Sequence, residues 1–194
     1  VGGSRGVACA GAFATALGDA CAGLHAEARM HVPVEDADRA VAAARATGAD
    51  GVVAVGGGSS IGLGKAIALR TGLPLIAVPS TYSGSEMTPV WGLTEAGVKR
   101  TGRDPKVLPR SVVYDPELTV SLPVPLTVTS GVNALAHAVE ALYAPDTSPL
   151  IALMAEEGVR AITEALPALA ARPDDLDARG RALYGAWLCG ACLG

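Results

Sequence analysis

Two groups of residues in this 194-residue chain have the types and spacing to do chemistry. The first is the glycine run Gly56-Gly57-Gly58-Ser59-Ser60, continued by Ile61-Gly62-Leu63-Gly64-Lys65. It follows an apolar stretch over 51–55 and opens a helical pattern over 59–70. A strand that turns through glycines into a helix points backbone N–H groups at a phosphate placed on the helix N-terminus. Glycine permits the positive φ angles and close ligand approach of such a turn. Ser59 or Ser60 can cap the helix or add a hydroxyl contact. The second group is Asn133 and His137. A spacing of i,i+4 on a helix puts both side chains on one face, as a ligand or catalytic pair needs.

Neither group is decisive alone. A Walker A loop has four residues before its Gly-Lys-Ser/Thr, whereas five separate Gly58 from Gly64-Lys65 and Ala66 follows. The strict dinucleotide fingerprint fails too, because Ile61 stands where its last glycine belongs; Gly56, Gly58 and Gly62 give GxGxxxG. On these residues alone, a tight strand-to-helix turn with no ligand remains an open alternative. A single histidine on a helix more often serves structure than catalysis. Asparagine is a neutral, weak ligand for Fe²⁺ or Zn²⁺, so no metal ligand is assigned, and His25 and His31 fall in the strand-bearing half.

The elements that must position these groups alternate. Helical patterns span 6–21 and 35–47, the latter Ala-rich with acidic residues in its first turn, which suits the helix dipole. Strand patterns span 26–32, 51–55, 75–78 and 111–114, with a hairpin that turns at Glu95-Ala96-Gly97. Strands alternating with helices at this spacing predict a parallel α/β sheet. After Pro123 and Pro125 no strand pattern recurs, and 128–143, 150–171 and 174–194 read as helices, with Pro167 expected to kink or end the middle one. The expected fold is α/β: a Rossmann-like parallel-sheet domain over 1–123, then the beginning of an all-α domain over 124–194.

Composition narrows the function classes. Hydrophobic residues make up 50%, so a core can be buried and disorder is excluded. The net charge of −4 offers no basic surplus for nucleic acid, and 4% aromatics offer no stacking platform. Four cysteines are too few for a disulfide scaffold. Cys189 and Cys192 form a CxxC inside an apolar helical run and read as buried free thiols, with a reducing cytoplasm as the default compartment. The first residues superficially resemble a signal peptide but read better as an Ala-rich helix on a sheet. The final YGAWLCGACLG is too short to span a membrane, and its lack of a cap suggests a piece of a longer protein.

Taken in order, GGGSSIGLGK, PSTYSGSEMTP, VVYDPELTVSLP, SGVNALAHAVEAL and the final YGAWLCGACLG are specific. The chain resembles the iron-containing alcohol dehydrogenase superfamily, and most closely its maleylacetate reductase branch. The resemblance implies a dehydroquinate synthase-like architecture, with an NAD(P)H-binding domain, a helical domain and the active site in the cleft between them. It implies that Gly56, Gly57, Gly58 and Ser59 hold the cofactor pyrophosphate. Thr81, Tyr82 and Ser85 become candidate contacts to ribose or nicotinamide, and Lys99 a candidate near the ribose, with an exposed hairpin lysine as the equal alternative. The superfamily's metal site uses an aspartate where Asn133 stands, the His137 position and two later histidines. Asparagine there matches the maleylacetate reductase branch and implies metal-independent chemistry. Gly62 is a parallel departure, because many metal-dependent members carry aspartate.

The resemblance therefore implies reduction of the carbon–carbon double bond of maleylacetate to 3-oxoadipate by NADH or NADPH, in aromatic-compound degradation, with His137 and Asn133 catalytic. A small dicarboxylate substrate, a homodimer, and no nucleic-acid or membrane partner belong to the same expectation. The competing readings are a metal-dependent alcohol or polyol dehydrogenase of the superfamily and a non-catalytic nucleotide-binding fragment.

Overall fold

The computed structural model describes Val1, Gly2 and residues 7–194; the expected helix start at Gly6 lies outside the described residues. The chain forms two compact units, one of Val1–Pro79 with Pro89–Val113, the other of Ser80–Thr88 with Tyr114–Gly194.

The first unit carries α1 (Val7–Leu17), α2 (Val34–Ala46), β1 (Val52–Gly56), α3 (Gly58–Thr71), β2 (Leu75–Pro79), the hairpin β3 (Val90–Glu95) and β4 (Val98–Arg103), and β5 (Ser111–Val112). Strands β1, β2 and β5 form a parallel sheet in that order, with Val52 opposite Leu75 and Ile76 opposite Ser111. Near-continuous apolar strands are what a parallel sheet covered by helices requires. Ile61, Leu63 and Ile67 of α3 share one core with Ala54, Leu75 and Ala77 of the sheet and Ala37, Ala40 and Val41 of α2. Gly64 brings α3 close: a Cβ there would lie 2.8 Å from the Ala54 Cβ. In the hairpin turn Ala96 and Gly97 take φ of 48° and 78°, the left-handed pair that suits strand twist. The buried Lys65 fixes the hairpin's start by donating from Nζ to the Val90 carbonyl at 2.8 Å.

The strand expected over 26–32 does not form. Ala28 N–H makes a 3.3 Å bond to the Gly2 carbonyl, and the chain then turns, with φ of 63° at His31 and 46° at Val32. Thr94 holds that turn, its N–H on the Val32 carbonyl at 3.0 Å and its hydroxyl on the His31 carbonyl at 2.8 Å. Val32 is driven into the core by the turn and not by a pleat.

In the second unit α4 (Val124–Tyr143), α5 (Pro149–Ala171) and α6 (Leu176–Leu193) follow the helical patterns. Ser148 caps α5 by accepting from Ile151 N–H, and Asp175 caps α6 by accepting from Ala178 N–H. Ala134, Ala138, Ile162, Leu169, Leu183 and Ala186 are among the residues of its core. Pro167 does not end α5, which continues to Ala171. Leu166 and Leu169 on either side of it are core residues, and their burial outweighs one missing N–H near the helix end. By contacts, the stretch Pro89–Val113 belongs to the first unit and Tyr114–Gly194 to the second. Leu122 belongs to the helical core, and the buried Thr119 accepts from the Tyr82 hydroxyl. Among the described residues no helix is long and apolar enough to cross a membrane.

Asp36, fully buried at the start of α2, accepts from Arg29 at 2.7 and 2.5 Å and from Arg39 at 2.6 Å. The hydrogen bonds from Arg29 are the first cause that holds its carboxyl below the ordinary range. A carboxylate with a lowered folded pKa contributes stability that is complete above its unfolded pKa and lost as pH falls through the folded one. Acid unfolding should therefore begin at higher pH in Arg29→Ala than in the parent, as circular dichroism across an acid titration would show.

Candidate functional site

The loop Ser80–Thr88 leaves β2 and is held by the helices of its own unit. Tyr82 is its anchor. The ring is fully buried, its hydroxyl donates to Thr119 Oγ1 at 2.9 Å and accepts from Arg179 Nη1 at 3.0 Å, and its N–H donates to Ser130 Oγ at 3.3 Å. Arg179, on α6, is itself fully buried and spends its other N–H groups on the carbonyls of Pro173, Val120 and Leu122. Further along, Gly84 at φ 72° lies against the backbone of α6: a Cβ on Gly190 would stand 2.2 Å from the Gly84 carbonyl oxygen. The buried Glu86 accepts from the Tyr114 hydroxyl at 2.9 Å. Burial, followed by the Glu86 charge, pushes the Tyr114 phenol well above its ordinary value.

This anchored loop brings Ser83 to α4. Asn133 donates from Nδ2 to the Ser83 carbonyl at 3.3 Å, and the same nitrogen lies 3.2 Å from His137 Nε2. Asn133 is exposed and His137 half-buried. Burial lowers the His137 pKa, partly opposed by the Glu140 carboxylate, which favours the neutral ring. Ser85 and Ser83 share a 3.1 Å hydroxyl contact, and Thr81 is half-buried. Ser83, Ser85, Asn133 and His137 thus belong to one anchored assembly. Tyr82, expected to touch ribose or nicotinamide, offers no side-chain surface for it; its ring and hydroxyl are enclosed in the helical unit.

The remaining candidates lie in the sheet unit. Gly56 ends β1 with φ 135°, and a Cβ there would stand 2.6 Å from Ser60 Oγ. Gly57 caps α3 without a side chain, Gly58 is exposed with open space around it, and the helix's first turn carries no acidic residue. The N–H groups of Gly58, Ser59 and Ser60 have no intrahelical partner by geometry. An anion fits this turn, and the pyrophosphate of a dinucleotide is such an anion. Lys99 lies on β4, opposite Thr94, and is exposed. At Gly62 a Cβ would stand 2.8 Å from Val32 Cγ2, so the turn at His31 and Val32 fills the space that an aspartate would need.

The pair on α4 offers one imidazole and an amide, and no carboxylate. The Asn133 amide presents N–H to Nε2, the imidazole atom facing it, and among the described residues no three His, Cys, Asp or Glu side chains group as a ligand set. The CxxC thiols are free and buried in the helical core, where burial pushes Cys189 up to about 12. Arg179 and Thr119 escaped the sequence reading. The signal was register: Arg179 stands at i−3, i−4 and i−7 from the core residues Ala182, Leu183 and Ala186, a core position no unpaired charge would occupy.

The sequence profile described as "Iron-containing alcohol dehydrogenase" matches residues 4–116, and the profile "Fe-containing alcohol dehydrogenase family, C-terminal" matches 127–194. This chain belongs to the iron-containing alcohol dehydrogenase family. A maleylacetate reductase of Burkholderia cepacia is 61% identical over 178 residues, which are 92% of this chain and 51% of the relative. The crystal structure of maleylacetate reductase from Rhizobium sp. strain MTP-10005 superposes with a TM-score of 0.96 at 56% identity, over 100% of this chain and 55% of that one. Sulfoacetaldehyde reductase from Bifidobacterium kashiwanohense, solved in complex with NAD⁺, is similar at 28% identity with a TM-score of 0.81, over 86% of this chain and 50% of that one. The chain spans about half the length of the curated relatives it matches. Family membership accounts for a parallel-sheet unit followed by an all-helical one, as the sequence predicts.

Tyr82→Phe removes one hydroxyl and leaves the buried Arg179 Nη1 without its acceptor. Urea unfolding should show a loss of about 1–3 kcal/mol, with the sheet unit's hairpin unaffected.

Proposed function

We propose that the full-length protein reduces the carbon–carbon double bond of maleylacetate, giving 3-oxoadipate, with NADH or NADPH and without a metal. The observation that carries this reading is the Asn133 amide bonded to Ser83 and His137 on α4. Similarity to maleylacetate reductases at 61% and 57% identity supports it.

The nicotinamide cofactor, when bound, supplies the hydride. Gly56, Gly57, Gly58 and Ser59 would hold its pyrophosphate on the N-terminus of α3. Thr81 and Ser85 would be candidate contacts to its ribose or nicotinamide, and Lys99 a candidate near the ribose. Reducing an activated double bond leaves negative charge on a substrate oxygen, which must be stabilised, and a carbon that must take a proton. A neutral His137 donates a hydrogen bond to that oxygen or relays the proton. Asn133 would not need to hold a metal for either step.

Oxidation of NADH by the full-length protein in the presence of maleylacetate tests this, with and without a chelator. Turnover that survives chelation is expected. Turnover restored only by iron or zinc, on alcohols or aldehydes, would assign a metal-dependent dehydrogenase, and cofactor binding without turnover of either would assign a nucleotide-binding module. His137→Ala should lower kcat by about 10²–10⁴-fold while the dissociation constant for NADH, read by fluorescence quenching, stays nearly unchanged. An unaltered kcat would remove His137 from the mechanism.

A further inference from the structure

We infer that Asn133 acts on His137 and not on a substrate: its amide holds the imidazole in the Nδ1–H tautomer, so that Nδ1 is the ring's only hydrogen-bond donor. The orientation of the amide follows from Ser83. A carbonyl oxygen only accepts, so the Asn133 atom 3.3 Å from the Ser83 carbonyl is the nitrogen Nδ2. That same Nδ2 lies 3.2 Å from His137 Nε2. An amide nitrogen carries two protons, one for the carbonyl and one for the ring. A ring nitrogen that accepts an N–H carries no proton of its own, and in a neutral imidazole the proton is then on Nδ1.

Neutrality has separate support, because burial lowers the His137 pKa more than the neighbouring Glu140 raises it. Nδ1 makes no hydrogen bond among the described residues, so its proton is uncommitted within the unit. The arrangement depends on the anchored loop, since Ser83 follows Tyr82, whose hydroxyl is fixed by Arg179 and Thr119. A carboxylate at this position reverses it. Asp has no proton to give either partner, faces the Ser83 carbonyl with lone pairs, and accepts from a ring that has moved its proton to Nε2. The choice between amide and carboxylate at 133 therefore selects which edge of His137 donates.

The relevance of this donor to turnover rests on the proposed reaction; the tautomer itself does not. The test is a long-range ¹⁵N–¹H correlation spectrum of the full-length protein labelled at histidine, with His137 assigned by the signals lost in His137→Gln. The expected pattern is a protonated Nδ1 and a bare Nε2. Asn133→Asp should move the proton to Nε2, and Asn133→Ala should leave a mixture of tautomers. Because Asn133 is exposed, both variants should retain the parent's circular dichroism spectrum. A protonated Nε2 in the parent, a doubly protonated ring at neutral pH, or an Nδ1–H pattern unchanged in both variants would overturn the inference. On maleylacetate, kcat of Asn133→Asp should fall by about 100-fold with KM for NADH little changed. If the tautomer shifts as expected while the parent turns over no maleylacetate, the assigned reaction fails and the tautomer lock stands.

Discussion

A guanidinium group stays charged inside a protein, and Arg179 keeps its own entirely away from solvent. Among the described residues no carboxylate bonds to it. Three backbone carbonyls and the Tyr82 phenol carry the charge by their dipoles. Those acceptors come from the turn before α6, from the segment before α4 and from the loop after β2, so one side chain fixes three stretches of backbone at once. Removing a partner from such a cluster costs far more than a surface contact, because the remaining polar groups stay buried without acceptors. The position of Ser83, and through it of Asn133 and His137, follows from this cluster.

Close backbone packing completes what the charge begins. Gly84 and Gly190 let a loop lie directly on a helix, a contact no side chain would permit. The helices of this unit are rich in alanine for the same geometric reason: Ala134, Ala138, Ala155, Ala182 and Ala186 are fully buried or nearly so. Small side chains bury little apolar area each, so the unit relies on tight approach and on its polar anchors more than on bulky core residues.

Much of this was legible in the sequence. The strand–glycine–helix segment, the hairpin turn at Ala96-Gly97 and the three long helices all have strong local signals, and the structure reproduces them. Asn133 and His137 share a face because helical spacing requires it. What failed depended on partners remote in sequence. Residues 26–32 have strand-like composition, but Thr94 bends them into a turn. Pro167 does not end its helix, because the burial of its neighbours holds the helix to Ala171. Tyr82 reads as a polar aromatic beside a cofactor motif, and only the fold shows that its hydroxyl faces inward. The allegiance of 80–88 to the helical unit has no local signature at all, because it is decided by an arginine near the other end of the chain.

That separation has a consequence during synthesis. Tyr82 and Arg179 are 97 residues apart. A growing chain folds from its N-terminal side as it emerges, and β1, α3 and β2 are complete long before α6 leaves the ribosome. Until then the segment 80–88 has a phenol and a carboxylate that belong in an interior not yet made. The loop gains its guanidinium partner only when α6 is made. A chain that ends before Arg179 therefore leaves the Tyr82 hydroxyl without the guanidinium it accepts from.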